Sequence, residues 1–406
     1  MNKHLQSLPI YLSKYISDRV SSDDTIVNLS IGEPFFKPPQ KVMDELYKSL
    51  ALQVQQNIPY RYAESRGSSL LRSEISKRYK RLYNAQVDME SEVLVTHGAA
   101  EAIWLCILTA TSEGDEVIIA DPSYMLYETA VRFLGRVPVK LPTHAEDGFV
   151  LDPDSVAKAI TSKTKLLIIN SPENPTGAVY GKDVLLKLNE LAEKNDFYFI
   201  HDEVYDSFLF EGTHQNIFRH QSTIGPRSIL INSFSKRFSM MGWRLGWIIA
   251  NKDFLTEATK VHTNLTLNLG ILHQDAASTV LNDIAVEDEL KQHVKQISAN
   301  MEVLINALAN ADGFSLPFGK PKSGFFLFPN ISGLYDMMPD KFKAYRTKGE
   351  GVMEYMLERY KIAIVPGFIY GQSGNDAIRV VAAVNKEDIA IAASRFAAHS
   401  EPVASS

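Results

Sequence analysis

The chain has 406 residues, with 42 Lys and Arg set against 48 Asp and Glu for a formal net charge of −6. A composition of 45% hydrophobic and 22% charged residues excludes bulk disorder, and the acidic balance argues against a general nucleic-acid binder, which needs a basic face. A single cysteine excludes an internal disulfide framework and a cysteine-built zinc site, and no run reaches the roughly 18 unbroken apolar residues of a membrane helix.

The length exceeds one typical core, so two domains, or one large domain with an appendage, are expected. The opening stretch MNKHLQSLPIYLSKYISDRV carries polar residues throughout and lacks a secretory apolar core, which points to the cytoplasm. A helix-like start gives way to an extended Pro-rich segment at 32–39. Short apolar runs at 92–96, 116–120, 165–170, 197–202, 228–233 and 245–250 predict strands, being rich in β-branched or aromatic residues. Helical patterns at 99–111 and 182–195 lie between them. This βαβ rhythm implies a mostly parallel sheet flanked by helices. From about residue 286 a long helical pattern leads into apolar runs at 325–329, 362–365 and 378–382, then a closing helix at 386–399. The fold class is therefore α/β. A large domain over 51–290 carries the central sheet, and a smaller α+β domain is assembled from both chain ends, 1–50 and 291–406.

Ligands of open α/β sheets bind beyond the carboxyl ends of the strands, and several special residues fall there. The run 92–96 leads into His97-Gly98-Ala99-Ala100-Glu101, a small-residue turn opening a helix. Free N–H groups and the positive dipole end make such a turn an anion site, although a plain tight turn accounts for it as well. The next strand ends in Asn170-Ser171-Pro172-Glu173-Asn174-Pro175-Thr176-Gly177, a rigid turn that would hold the Asn174 amide in one place. Asp202, in His201-Asp202-Glu203-Val204-Tyr205, emerges at a strand end as a helix cap, a metal ligand or a cofactor partner; without a helix-borne His pair or a Cys/His cluster, a metal is the weakest reading. Most informative is Ser233-Phe234-Ser235-Lys236, followed by Gly242-Trp243-Arg244-Leu245-Gly246. A lysine amine just past a strand can form Schiff bases, and an arginine fork matches phosphate oxygens. Arg379 inside an apolar strand reads either as an edge-strand charge or as a carboxylate clamp.

Together these residues resemble the class I/II aminotransferases, the fold-type I enzymes that use pyridoxal 5'-phosphate. The resemblance runs from about Asn28 to the final helix. It rests on Asn28-Leu29-Ser30-Ile31-Gly32-Glu33-Pro34, Tyr62 with Gly67, Thr96 to Glu101, Asp121-Pro122-Ser123-Tyr124, Asn174-Pro175-Thr176-Gly177, Asp202 to Tyr205, Ser233 to Lys236, Gly242-Trp243-Arg244 and Arg379, in that order.

The resemblance implies that Lys236 holds the cofactor as a Schiff base and then moves the α-proton, and that Asp202 pairs with the pyridinium nitrogen. Asn174 and Tyr205 would donate to the ring's phenolate oxygen, and Tyr124 would stack on the ring. Gly98, Ala99 and Ala100 would take the phosphate with Ser233, Ser235 and Arg244. Tyr62 would reach the phosphate of a neighbouring subunit, which implies a homodimer with shared active sites. Arg379 would grip the substrate α-carboxylate, with Gly32 and Asn174 in the same pocket. No metal, nucleic acid or membrane partner is implied. Three features depart from the pattern: His97 where a small or apolar residue is usual, Phe35 after Gly32-Glu33-Pro34, and Ala99-Ala100 in place of a hydroxyl or glycine. No second basic residue can be placed for a side-chain carboxylate, and Cys106, in an apolar helix pattern, reads as a packed core thiol.

The activity implied is transfer of an α-amino group between an L-amino acid and a 2-oxo acid by a ping-pong route. The same framework also hosts elimination, replacement, cyclisation and oxidation of amino acids. A binding-only relic is disfavoured because it has no need of a Schiff-base lysine. The sequence does not name the amino donor.

Overall fold

The computed structural model describes residues 10–57, 59 and 61–398. The helix Leu12–Val20 buries Ile16 and Val20 on one face and leads to β1 (Val27–Asn28). After the helices Gln40–Gln56 and Ser69–Tyr83 come β2 (Val93–Thr96), β3 (Glu116–Asp121), β4 (Val137–Pro142), β5 (Thr164–Asn170), β6 (Tyr198–Asp202), β7 (Ser228–Ser233) and β8 (Gly246–Ala250). These seven strands form one sheet in the order β2-β8-β7-β6-β5-β3-β4. β8 alone runs against the other six, antiparallel to both β2 and β7. Helices cover both faces, so strands are buried along their whole length instead of alternating: every residue of β2, β7 and β8 is buried.

All six strands expected in this region form, with ends shifted by one residue at most. The direction of β8 was not legible, because a strand buried on both faces carries no pattern that distinguishes parallel from antiparallel. β4 was missed. Its sequence, Val-Pro-Val-Lys-Leu-Pro, has two prolines that argue against an inner strand, and it occupies the sheet edge, where a missing N–H costs nothing.

The C-terminal part begins with the helix Ile284–Ala309, capped by the Asp283 carboxylate on the Val286 N–H. It continues through β9 (Phe326–Leu327), β10 (Ile362–Ala363), β11 (Val365–Pro366) and β12 (Ile378–Val381) to the closing helix Lys386–Ala397. His399, placed in that helix from the sequence, lies outside the described residues. β10 pairs with β1, Val27 opposite Ile362, and β12 sits between β11 and β9. One apolar core joins Ile16, Val27 and Leu29 from the N-terminal end to Phe325, Ile362, Val380 and Phe396. Separate clusters line the two faces of the large sheet.

The turn after β5 ties the two parts together. Gly177 has φ +74°, and a Cβ there would stand 2.6 Å from the Pro321 side chain and 2.7 Å from the Ser323 carbonyl. Gly177→Ala therefore combines a left-handed backbone cost with a clash that only main-chain movement relieves. Denaturant unfolding should show a loss of about 3 kcal/mol; a loss under about 0.5 kcal/mol would contradict this packing.

Candidate active site

The carboxyl ends of β5, β6 and β7 deliver Asn170, Asp202 and Ser233 to one side of the sheet. A cavity of about 640 Å³ opens there. Of the residues singled out from the sequence, Gly32, Ala99, Ala100, Tyr124, Asn174, Asp202, Tyr205, Ser233, Ser235, Lys236, Arg244 and Arg379 line it. Gly98 lies directly behind Arg244. Tyr62 does not join them within the chain; it is 83% exposed.

Asp202 is 2% exposed and forms no ion pair among the described residues. Burial raises its carboxyl to about 7, against the Tyr127 hydroxyl (2.8 Å) and the Val204 N–H (3.2 Å), which favour the charged form. Tyr127 was not foreseen, although it lies three residues after Tyr124 and therefore on the same side of the helix Met125–Phe133. Asn170 was also missed. Its amide donates to the Asp202 carbonyl (3.0 Å) and accepts from the Asn174 N–H (2.9 Å), coupling the Pro-rich turn to the end of β6.

Lys236 sits in the short helix Phe234–Arg237, and its amine donates to the Gly32 carbonyl at 2.6 Å. Desolvation, opposed by Glu33 and reinforced by Arg379 and Arg244, lowers the amine to about 8. The Ser233 hydroxyl caps this helix by accepting from the Ser235 N–H, and donates its one proton to the Leu245 carbonyl at 3.1 Å. Its donor is thus committed within the fold, whereas among the described residues no such bond engages the Ser235 hydroxyl.

Arg379 projects from β12, the middle strand of its sheet, so the edge-strand reading does not apply. It is 3% exposed and sits over the rings of Phe326 and Tyr370. Its Nη2 donates to the Ser30 carbonyl at 2.6 Å and its Nη1 to the Asn174 amide oxygen at 3.0 Å, which leaves the Asn174 NH₂ free to donate elsewhere. Nε is buried without a hydrogen-bond partner among the described residues. Such an orphan is costly unless a ligand completes it.

At the opposite end of the cavity the helix Gly98–Ala110 begins, with no side-chain cap on its first turn. Arg244 takes the left-handed backbone conformation and donates to the carbonyls of Met241 (2.8 Å) and His97 (3.3 Å). A Cβ at Gly98 would lie 2.6 Å from the Arg244 guanidinium. Tyr124 is held by Tyr11, hydroxyl to hydroxyl at 2.8 Å, so the N-terminal segment forms one wall. Tyr205 is buried edge-on against Phe325 and Phe326, and burial pushes its phenol well above the usual range.

Behind Asp202 the fold assembles a grouping that was not legible. His201, Glu203 and His214 are buried with their ligand-capable atoms within 4.8 Å of one another. His214 Nε2 lies 2.8 Å from Glu203, the Tyr79 hydroxyl donates to the other Glu203 oxygen, and His201 Nε2 lies 3.1 Å from the Ser171 carbonyl. His214 is eleven residues past Glu203 in a loop, so no local spacing announces it. Cys106 is a fully buried thiol.

The arrangement suits a phosphorylated, electron-poor aromatic aldehyde: an uncapped helix start beside an arginine, a buried carboxyl without a cation, and an amine near neutrality. The model of the class I and II aminotransferases matches residues 24–396, and the chain belongs to that family. It is similar to the aspartate aminotransferase of Pyrococcus horikoshii, with 30% identity over 382 residues covering 93% of this chain and 92% of that protein. Among solved structures it resembles the aromatic aminotransferase from Pyrococcus horikoshii OT3 (TM-score 0.82, 30% identity, 94% and 98% coverage). It also resembles the Thermus thermophilus aspartate aminotransferase with maleate (TM-score 0.87, 29% identity, 98% and 99% coverage). The protein is an aminotransferase of fold type I. Among the described residues no helix is long and apolar enough to cross a membrane.

The lowered amine gives a pH test with a definite sign. Only neutral Lys236 attacks an aldehyde, so condensation with pyridoxal 5'-phosphate should accelerate as pH rises towards about 8 and level off above it. Stopped-flow absorbance follows the reaction. A rate still climbing through pH 10 would show an ordinary, unperturbed lysine.

Proposed function

We propose that this cavity holds pyridoxal 5'-phosphate and that the protein uses it to exchange the α-amino group between an L-amino acid and a 2-oxo acid. The observation that carries the reading is the convergence of Lys236, Asp202 and Arg379 on one cavity from three parts of the chain. When bound, the cofactor supplies a carbonyl that condenses with amines and a ring that accepts carbanion electrons.

Lys236 Nζ would hold the cofactor covalently and would serve as the base that takes and returns the substrate α-proton. Its lowered basicity leaves a substantial neutral fraction near pH 7.5. Asp202 would pair with the ring nitrogen, whose positive charge would bring its raised carboxyl back to the charged form; Tyr127 and the Val204 N–H orient the carboxylate, and Asn170 holds its main chain. The Asn174 NH₂ and the Tyr205 hydroxyl would donate to the ring oxygen, and Tyr124, steadied by Tyr11, would stack on the ring. The N–H groups of Gly98, Ala99 and Ala100 would hold the phosphate with Arg244 and the Ser235 hydroxyl, while Ser233 braces the wall. Arg379 receives the substrate α-carboxylate beside Gly32, and the orphan Nε shows that its donors are not exhausted by the fold.

A homodimer completes the site. The helix Gln40–Gln56 buries only Val42, while Tyr47 and Val54 on it are 70% and 72% exposed; Tyr62 follows on the same stretch of chain and would reach the phosphate of the partner. The similar proteins named above are aspartate and aromatic aminotransferases, and both donor classes carry the carboxylate that Arg379 would take. The cytoplasm is the compartment that suits a chain with one reduced, buried cysteine.

Lys236→Ala should abolish turnover together with the absorbance change that accompanies attachment of pyridoxal 5'-phosphate. Retention of that absorbance would move the attachment point elsewhere. Arg379→Ala should raise the KM for amino acids by about 10–100-fold, the worth of a charge-assisted bidentate contact, with a much smaller effect on an amine that lacks the carboxylate. Equal losses for both substrates would refute the clamp.

A further inference from the structure

The phosphate end of the cavity contains an apparent contradiction. Glu101 lies in the first turn of the helix Gly98–Ala110, where an anion is meant to bind, and it is ionised: burial raises its carboxyl, but the hydrogen bonds from His262 and the His97 N–H outweigh that and hold it below the usual range. A carboxylate at this place competes with a phosphate for the same dipole.

The geometry shows why it does not occupy the site. One oxygen accepts from His262 Nδ1 at 3.0 Å; His262, on the helix Lys252–Thr266, is completely buried. The other accepts from the His97 backbone N–H at 2.5 Å and lies 3.1 Å from His97 Nδ1. Both oxygens are therefore engaged by these partners, and among the described residues no side chain caps the first helical turn, whose Ala99 and Ala100 line the cavity. The same contacts hold the main chain at His97 through its N–H, and the His97 carbonyl, in the next peptide unit, is one of the two acceptors that aim the Arg244 guanidinium. A continuous path runs from the buried His262 through Glu101 and the His97 main chain to Arg244.

We propose that Glu101, held between His262 and His97, is a positioning residue that keeps the phosphate cradle open and sets the direction of Arg244. This gives His97 a role that its sequence position did not reveal, and it rests on the reading that the cradle takes the phosphate of pyridoxal 5'-phosphate.

The test compares equilibrium binding of pyridoxal 5'-phosphate and of pyridoxal, which lacks the phosphate, by absorbance. Simple repulsion predicts that Glu101→Ala tightens phosphate binding; the positioning role predicts the opposite sign. Glu101→Ala should weaken pyridoxal 5'-phosphate by about tenfold, the worth of one charged hydrogen bond, and leave pyridoxal within about twofold. Glu101→Gln, which keeps an acceptor for the His97 N–H, should recover most of the loss. His262→Leu, which removes the donor and fills the buried space, should show the same phosphate-specific weakening should Glu101→Ala not fold. Tightened or unchanged binding of pyridoxal 5'-phosphate, or parallel losses for both ligands, would overturn the proposal. A wild-type protein that does not prefer pyridoxal 5'-phosphate over pyridoxal would instead overturn the phosphate site itself, and this role with it.

Discussion

The constraint on which the structure turns is the burial of charged side chains that the fold leaves incomplete. Asp202 sits at the end of an inner strand with no cation beside it, Arg379 keeps a buried Nε without an acceptor, and the Lys236 amine is pressed towards neutrality. Each costs stability in the unliganded chain. Under the proposed function each would become favourable once a cationic ring nitrogen, a carboxylate and an aldehyde carbon were placed among them.

The architecture holds those requirements in place. Parallel strands bring Asn170, Asp202 and Ser233 to a common edge, while the antiparallel β8 returns the chain so that Arg244, just before it, stands beside the start of the helix Gly98–Ala110. The Arg379 end comes from elsewhere: Ser30 and Gly32 from the N-terminal part, Arg379 from β12. β1 pairs with β10, and the two chain ends that carry these groups share one apolar core. Polar residues of the cavity wall also hold one another. Tyr127 and Asn170 orient Asp202, and Tyr11 steadies Tyr124.

What could be read from the sequence was local. Lys236, Asp202 and the turn at Gly98 announce themselves by standing at strand ends, and the inner strands by unbroken apolar runs. What escaped depends on contacts through space. β4 was hidden by prolines that only an edge position permits. Tyr127 and Asn170 are ordinary residues until the sheet brings them against Asp202. Glu101 and His262 are 161 positions apart in the chain, and His214 meets Glu203 only because a loop folds back over the sheet. Tyr62 was legible through family resemblance and not through chemistry, since within one chain it faces outward.

The central claim, that the cofactor ring is held between the Lys236 amine and the Asp202 carboxylate, is tested most directly by a crystal structure of the protein grown with pyridoxal 5'-phosphate. The account predicts density continuous with Lys236 Nζ, the ring nitrogen within hydrogen-bond distance of Asp202, and the phosphate on the first turn of the helix Gly98–Ala110. A ring lodged away from Asp202, or attached to a different lysine, would contradict it.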